Sequence, residues 1–84
     1  MRRETFKIAL HNFTRRRRFH PFVVELKTGF RFVIRHPEAV RLYGDLAVYI
    51  RRNFTYRFFD ASSVNQLCDL PYEEEPERIE PISD

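Results

Sequence analysis

The spacing of the apolar residues changes once along this chain, at Pro21. After Pro21 large apolar residues recur at every second position, which is the period of a strand. Before Pro21 they follow the helical i, i+3, i+4, i+7 rule, at Phe6, Ala9, Leu10 and Phe13. This rule predicts an amphipathic helix over residues 3–14, with Glu4 in the first turn, where a negative charge suits the helix dipole.

Two pairs of alternating segments follow Pro21, and each pair predicts a β-hairpin. The core-facing residues expected in the first hairpin, around a turn at Thr28-Gly29, are Phe22, Val24, Leu26, Phe30, Phe32 and Ile34. Those of the second hairpin, around a turn near Arg52-Asn53, are Leu46, Val48, Ile50, Phe54, Tyr56 and Phe58. Between the hairpins, residues 37–44 predict a short helical turn, and residues 64–67 predict a short last strand or a final helical turn.

The predicted fold class is therefore α+β and mostly β. An N-terminal helix precedes a small antiparallel sheet or a five-stranded barrel, which is built from two hairpins plus a short last strand. A closed barrel would bury the phenylalanine-rich face and leave few open strand edges. In the order of its elements the chain resembles the five-stranded barrels of the Sm-like group, which does not by itself imply RNA binding.

The charges of the chain are divided along its length. Residues 1–68 carry 14 Lys/Arg against 5 Asp/Glu, a net charge of +9, whereas residues 69–84 carry one Arg against 7 acids, a net charge of −6. Three of the five prolines also lie in the second region. We predict one compact basic domain over residues 1–68 and an acidic, proline-rich, disordered tail over residues 69–84. This division favours an anionic partner, or a tail that shields the basic surface.

Motifs for catalysis or for cofactor binding are not found in the sequence. The chain has two glycines and no glycine-rich phosphate loop, no nucleophile elbow, and no zinc-like spacing of its histidines and Cys68. We expect a protein that is not an enzyme and has no metal or cofactor. A single cysteine allows no internal disulfide, and no apolar run has the length of an export signal or a membrane span, so we expect a cytoplasmic protein that has no membrane partner.

Arginines carry the strongest binding hypothesis, which is association with RNA or DNA. Several adjacent guanidinium groups bind phosphates and give salt-dependent affinity, although a run of charge is also typical of a solvated helix end. Tyr49 and Phe59 lie on the parity opposite to the expected core and are predicted to be exposed. The residues predicted to contact nucleic acid are Arg15, Arg16, Arg17, Arg18, Arg31, Arg35, Arg51, Arg52 and Tyr49.

An alternative interpretation needs no nucleic acid. A chain of 84 residues in which 15% of residues are aromatic leaves apolar surface uncovered, and such patches mark protein interfaces. The protein would then be a protein-interaction module, or an accessory subunit that forms homo-oligomers.

The segment RRFHPFVVELKTGFRFVIRHPEAV is similar to a pattern in a group of short bacterial proteins of unknown function. In that pattern an Arg-Pro-Phe-x-Pro-Phe entry precedes a strand, an Asp-Gly or similar turn, a second strand and His-Pro-Glu. The matching residues here are Arg18, Phe19, Pro21, Phe22, Gly29, Phe32, Val33, His36, Pro37 and Glu38. His20 and Thr28 depart from the pattern. The resemblance implies the hairpin and a bacterial, cytoplasmic setting, and it implies no chemistry.

Overall fold

A computed structural model describes residues 1–51 and 53–71 of the chain. It contains one helix, α1, and six strands. The helix covers Arg3–Arg15, and the strands are β1 (Phe22–Leu26), β2 (Arg31–Ile34), β3 (Val40–Tyr43), β4 (Leu46–Ile50), β5 (Tyr56–Asp60) and β6 (Val64–Asp69).

The strands form two antiparallel sheets of three strands each, in the orders β2-β1-β6 and β3-β4-β5. The predicted α+β, mostly β class is confirmed. The alternative of a closed five-stranded barrel is not, because among the described residues no strand of one sheet pairs with a strand of the other. Each sheet therefore keeps two edge strands.

Helix α1 confirms the prediction for residues 3–14 and extends it by one residue. Phe6 and Leu10, one turn apart, are buried, and Phe13 packs beside them against the core. The helix ends where Arg16 takes an extended conformation, with φ −67° and ψ 153°. The arginine run therefore begins in the last turn of the helix and continues outside it.

The first hairpin has the predicted turn. Gly29 has a φ of 95°, a conformation that side chains rarely adopt, and its N–H donates to the carbonyl oxygen of Leu26 at 2.8 Å. The two strands pair from Phe22 opposite Ile34 to Glu25 opposite Arg31.

The helical turn predicted for residues 37–44 is wrong beyond its first three residues. A 3₁₀ turn covers Pro37–Ala39, and β3 then pairs with β4 from Val40 opposite Tyr49 to Tyr43 opposite Leu46. Gly44, with a φ of 63°, lies in the turn of this hairpin and does not end a helix. Four residues are too few to separate a helical period from an alternating one, so the pairing of β3 with β4 decides the conformation.

The last strand extends beyond the boundary expected after Cys68. Strand β6 continues to Asp69, and Leu70 is buried against Val23 and Val33. The N–H of Leu70 also donates to the carbonyl oxygen of Pro21 at 3.2 Å. Burial of a leucine side chain contributes about 2 kcal/mol, which keeps these two residues with the folded domain. The rest of the predicted tail, residues 72–84, lies outside the described residues.

The core lies between the two sheets and helix α1, and it is largely aromatic. Phe32 stacks on Tyr49 with ring centroids 5.4 Å apart and meets Phe59 edge to face at 5.4 Å. Phe6 of the helix meets Phe59 at 6.0 Å. The hydroxyl of Tyr49 donates to the carbonyl oxygen of Val33 at 3.2 Å. Tyr49 therefore joins the second sheet to the first.

Candidate interaction surfaces

The second sheet faces the core with the parity opposite to the predicted one. Tyr49 and Phe59, predicted to be exposed, are each 3% exposed, whereas Tyr56 and Phe58 are 59% and 61% exposed. Tyr49 is therefore not available to stack on a base, and its predicted role in binding nucleic acid is wrong. Strands β4 and β5 carry large apolar side chains on both parities, and such strands specify their register and facing only weakly. The stacking of Tyr49 on Phe32 decides the facing here.

This parity leaves an apolar surface on the outer side of the second sheet, which we call the aromatic face. Its three exposed rings are those of Tyr43, Tyr56 and Phe58, with Tyr43 63% exposed. Together the side chains of the three strands line one shallow groove, formed by Arg41, Tyr43, Leu46, Val48, Ile50, Tyr56 and Phe58. Large exposed apolar patches on small proteins mark interaction sites.

A fourth exposed aromatic ring lies in the turn between β4 and β5. Phe54 is 84% exposed and has a φ of 66°. Its N–H donates to the carbonyl oxygen of Arg51 at 2.8 Å, which holds the turn closed. A side chain in this left-handed conformation costs about 1–2 kcal/mol. Because burial of the ring does not offset this cost, Phe54 is a candidate contact residue.

Within the arginine run, Arg16 is committed to the fold. Its Nη2 donates to the carbonyl oxygen of His20 at 2.6 Å and lies 2.7 Å from the carboxylate of Asp69. Its guanidinium group also lies 5.0 Å from the centroid of the Phe13 ring. Arg16 therefore fastens the end of the helix to the end of β6, and a free role in phosphate binding does not fit these contacts.

The other three arginines of the run are exposed. Arg15, Arg17 and Arg18 form no ion pair within the part of the chain that the structure describes. Arg15 and Arg41 line the same groove between the C-terminal half of α1 and β3. Arg41, which is not among the arginines predicted to bind, lines both this groove and the groove of the aromatic face.

The remaining predicted arginines are not brought to this surface. Arg31 is exposed on the first sheet opposite Glu25, and Arg35 is half-buried just beyond β2. Arg51 is half-buried beyond β4 and donates from Nε to the hydroxyl of Thr55 at 2.9 Å. Arg52 lies outside the described residues. The predicted set is therefore divided among separate parts of the surface.

Arg57 shows why a count of arginines overstates the positive surface. It lies on the core-facing side of β5. Its guanidinium carbon lies 4.6 Å from the ring centroid of Phe30 and 5.2 Å from that of Phe32. Cations over aromatic faces are attracted by the ring quadrupole. Arg57 is half-buried, so its guanidinium group packs against core rings and is only partly available at the surface.

Two carboxylates hold turns at the end of the second sheet. Lys7 donates to Asp45 Oδ1 at 3.1 Å and Arg3 donates to Oδ2 at 3.2 Å, and these contacts, that of Lys7 above all, hold the pKa of Asp45 below its ordinary 3.8. The hydroxyl of Ser62 donates to Asp60 Oδ1 at 2.8 Å and, with Ser63, lowers the pKa of Asp60. Both carboxylates therefore stay ionised at neutral pH.

The sequence contained one unused signal for the aromatic face. A Gly-Asp pair flanked by the alternating segments VRLY and LAVYI is a hairpin pattern, and it would have placed Arg41 and Tyr43 on a strand. The facing of Tyr56 and Phe58 had no such signal, because the large rings of Phe58 and Phe59 occur on both parities of β5 and the charge of Arg57 favours the opposite facing.

Comparisons with protein-family models, with curated proteins and with solved structures gave no match to this chain. Within residues 1–51 and 53–71, no helix has the length and apolar content needed to cross a membrane. In the same ranges, no cluster of three or more His, Cys, Asp or Glu side chains is placed to hold a metal ion. The function is therefore inferred from the surfaces alone.

Proposed function

We propose that this protein is a small, non-enzymatic interaction module that binds another protein chain through the aromatic face. The observation that supports the proposal most directly is the outward facing of Tyr43, Tyr56 and Phe58, each about three-fifths exposed on one sheet. The single Cys68 supports a cytoplasmic setting for the module, because no internal disulfide is formed.

A protein partner fits this face better than a nucleic acid does. The middle strand contributes the aliphatic side chains of Leu46, Val48 and Ile50, and among residues 1–51 and 53–71 Arg41 is the only charged side chain that lines the groove. Surfaces that bind single strands combine stacked rings with a basic track along the backbone. Here the rings surround aliphatic side chains, which is typical of the apolar centre of a protein interface.

The test is a capture experiment that compares variants of the full chain in extract from the native host. Tyr56→Thr with Phe58→Thr removes two exposed rings while keeping residues that favour strands. Ile8→Gln removes an apolar side chain of comparable exposure from helix α1, and it serves as the matched control. We expect the native chain and the control to capture the same proteins in similar amounts. The double variant should capture at least tenfold less of them.

Phe54→Gly provides a second arm of the experiment. Glycine accepts the φ of 66° without strain, so the variant should be more stable by about 1 kcal/mol. If Phe54 contacts the partner, the same variant should also capture less of it. Capture that is identical for the native chain and the Tyr56/Phe58 double variant would overturn the proposed function.

Association with single-stranded RNA or DNA is a second candidate function, and a separate observation favours it. Arg15, Arg17 and Arg18 are exposed at the end of α1, and Arg41 lines one groove together with Arg15 and the acidic Glu38. Three or four guanidinium groups at this surface would neutralise a similar number of phosphates.

Salt dependence tests this second candidate. With three phosphate contacts, the affinity for a single strand should fall about 20-fold between 50 and 200 mM salt. Anisotropy titrations of labelled RNA and DNA measure this change. Arg15→Gln, Arg17→Gln and Arg18→Gln together should remove most of the salt dependence, whereas Arg31→Gln, on the first sheet, should remove little. The absence of salt-sensitive binding by the native chain would eliminate the candidate.

A further inference from the structure

We propose that the partner of the aromatic face is a second copy of this chain, related by a two-fold axis that runs parallel to β4. This inference rests on the protein-binding role proposed above and names its partner. It follows from the exposed area of the face and from the positions of charged and aromatic residues on either side of β4.

The area of the face agrees with a weak dimer. At about 200 Å² for each aromatic side chain, the rings of Tyr43, Tyr56 and Phe58 together expose roughly 350 Å². The aliphatic side chains and Arg41 bring the contact to roughly 500 Å² per copy, or about 1,000 Å² in all, which is the lower end for specific protein interfaces. Interfaces of this size are typical of weak or transient complexes.

The strand register supplies the complementarity between two copies. Arg41 on β3 and Phe58 on β5 are both register partners of Val48, so they lie on opposite sides of β4 at one level. A half-turn about an axis parallel to β4 exchanges the two sides. It therefore places the Arg41 guanidinium over the Phe58 ring of the other copy, a favourable cation–π pair.

A second level of the sheet shows the same relation. Tyr43 and Asp60 are both register partners of Leu46, again on opposite sides of β4. The same half-turn brings the Tyr43 hydroxyl to the edge of the other copy where the ionised Asp60 lies. A phenolic hydroxyl donates to a carboxylate, so this level also pairs a donor with an acceptor.

The other axis in the plane of the sheet is disfavoured. A half-turn about an axis perpendicular to β4 at the level of Val48 would place Arg41 against Arg41 of the other copy. Like charges in contact at an interface cost several kcal/mol. Arg41 forms no ion pair within the described residues that would neutralise it.

Sedimentation velocity tests whether the full chain self-associates. Over a range from about 1 to 300 µM, the native chain and Ile8→Gln should both change from monomer to dimer, as expected for an interface of this size. Tyr56→Thr with Phe58→Thr should shift the midpoint to at least tenfold higher concentration. A native chain that stays monomeric at the highest concentration overturns the second copy as the partner. If the native chain captures a different protein and the double variant does not, the protein-binding role still holds.

Cysteine cross-linking tests the axis. In a chain that carries Cys68→Ala, Arg41→Cys and Phe58→Cys are made as separate variants and are mixed with an added disulfide oxidant. The proposed axis gives a rapid cross-link between the two variants, and it gives little product from Arg41→Cys alone. A faster cross-link within Arg41→Cys alone would overturn the proposed axis. Ile8→Cys, at an exposed position on α1, is the control for random collision.

Discussion

Individual arginines in this protein have different roles, although the sequence presents them as one class. Arg16 and Arg57 lie against aromatic rings within the fold, while Arg15, Arg17 and Arg18 are exposed. The difference depends on tertiary contacts. The contact of Arg16 with Asp69 joins residues far apart in the chain, so no local pattern in RRRR identifies the second arginine as the structural one.

Arg57 provides the prediction at the residue scale. Its planar guanidinium group covers the rings of Phe30 and Phe32, and the ammonium group of a lysine is not planar and stacks less well. We expect Arg57→Lys to lower the free energy of unfolding by about 1 kcal/mol. Urea denaturation measures the change. Arg31→Lys, at an exposed position, is the control, and equal effects of the two substitutions would contradict a stacking role.

Among the helices and strands, those that a local sequence pattern specifies were predictable. The period of apolar residues gave α1 to within one residue, and Gly29 located the first hairpin turn. Strand β3 was missed because four residues carry too little periodicity and because Gly44-Asp45 was interpreted as a helix end and not as a hairpin turn. The facing of β4 and β5 was reversed because their apolar residues occur on both parities, and the choice between faces depends on how the two sheets and α1 pack together.

The contact between α1 and the turn after β3 gives a prediction at the element scale. The pKa of Asp45 is lowered in the folded state by Lys7 and Arg3, so its carboxylate stabilises the fold at neutral pH. That contribution is lost as the pH falls below 3.8, through the lowered pKa of the folded protein. We therefore expect Asp45→Asn to be less stable than the native chain at pH 7.

Urea midpoints at several pH values measure this difference, which should disappear at the acidic end of the series. Lys7→Gln should behave in the same way, because it removes the partner that contributes most to the lowered pKa. Added salt should also reduce the difference, since the pair is exposed. A difference in urea midpoint between Asp45→Asn and the native chain that does not change with pH would contradict this role of the charge.

For the whole molecule, the described fold includes Asp69 and Leu70, which the composition placed in the acidic region. Residues 1–71 carry 14 Lys/Arg against 6 acids, a net charge of +8, and residues 72–84 carry one Arg against 6 acids, a net charge of −5. Composition places a boundary where acidic residues begin, and it carries no information on the burial of a single leucine. Leu70 shows that a truncation should come after Pro71 and not before Asp69.

Truncation after Pro71 is the prediction at this scale. It raises the net charge of the chain from +3 to +8 by removing −5. We expect higher affinity for single-stranded RNA at low salt, and a smaller gain as salt screens the charges. Anisotropy titrations of the two chains measure the gain. A full-length chain in which the six acids are replaced by their amides has a net charge of +9, because it keeps Arg78, and should show a similar gain. Unchanged affinity in both chains would show that the acidic residues do not compete for the arginines.

The chain has four tyrosines and no tryptophan, so its ultraviolet fluorescence comes from tyrosine alone. Tyr49 emits from within the core, where its phenol is bonded to a peptide carbonyl of the opposite sheet, while Tyr43 and Tyr56 emit from the surface. In the chain truncated after Pro71, which lacks Tyr72, a quencher dissolved in the buffer will therefore reach Tyr43 and Tyr56 before Tyr49. Protection of Tyr43 and Tyr56 from the quencher would report binding at the aromatic face, and exposure of Tyr49 would report separation of the two sheets. These measurements need no attached dye.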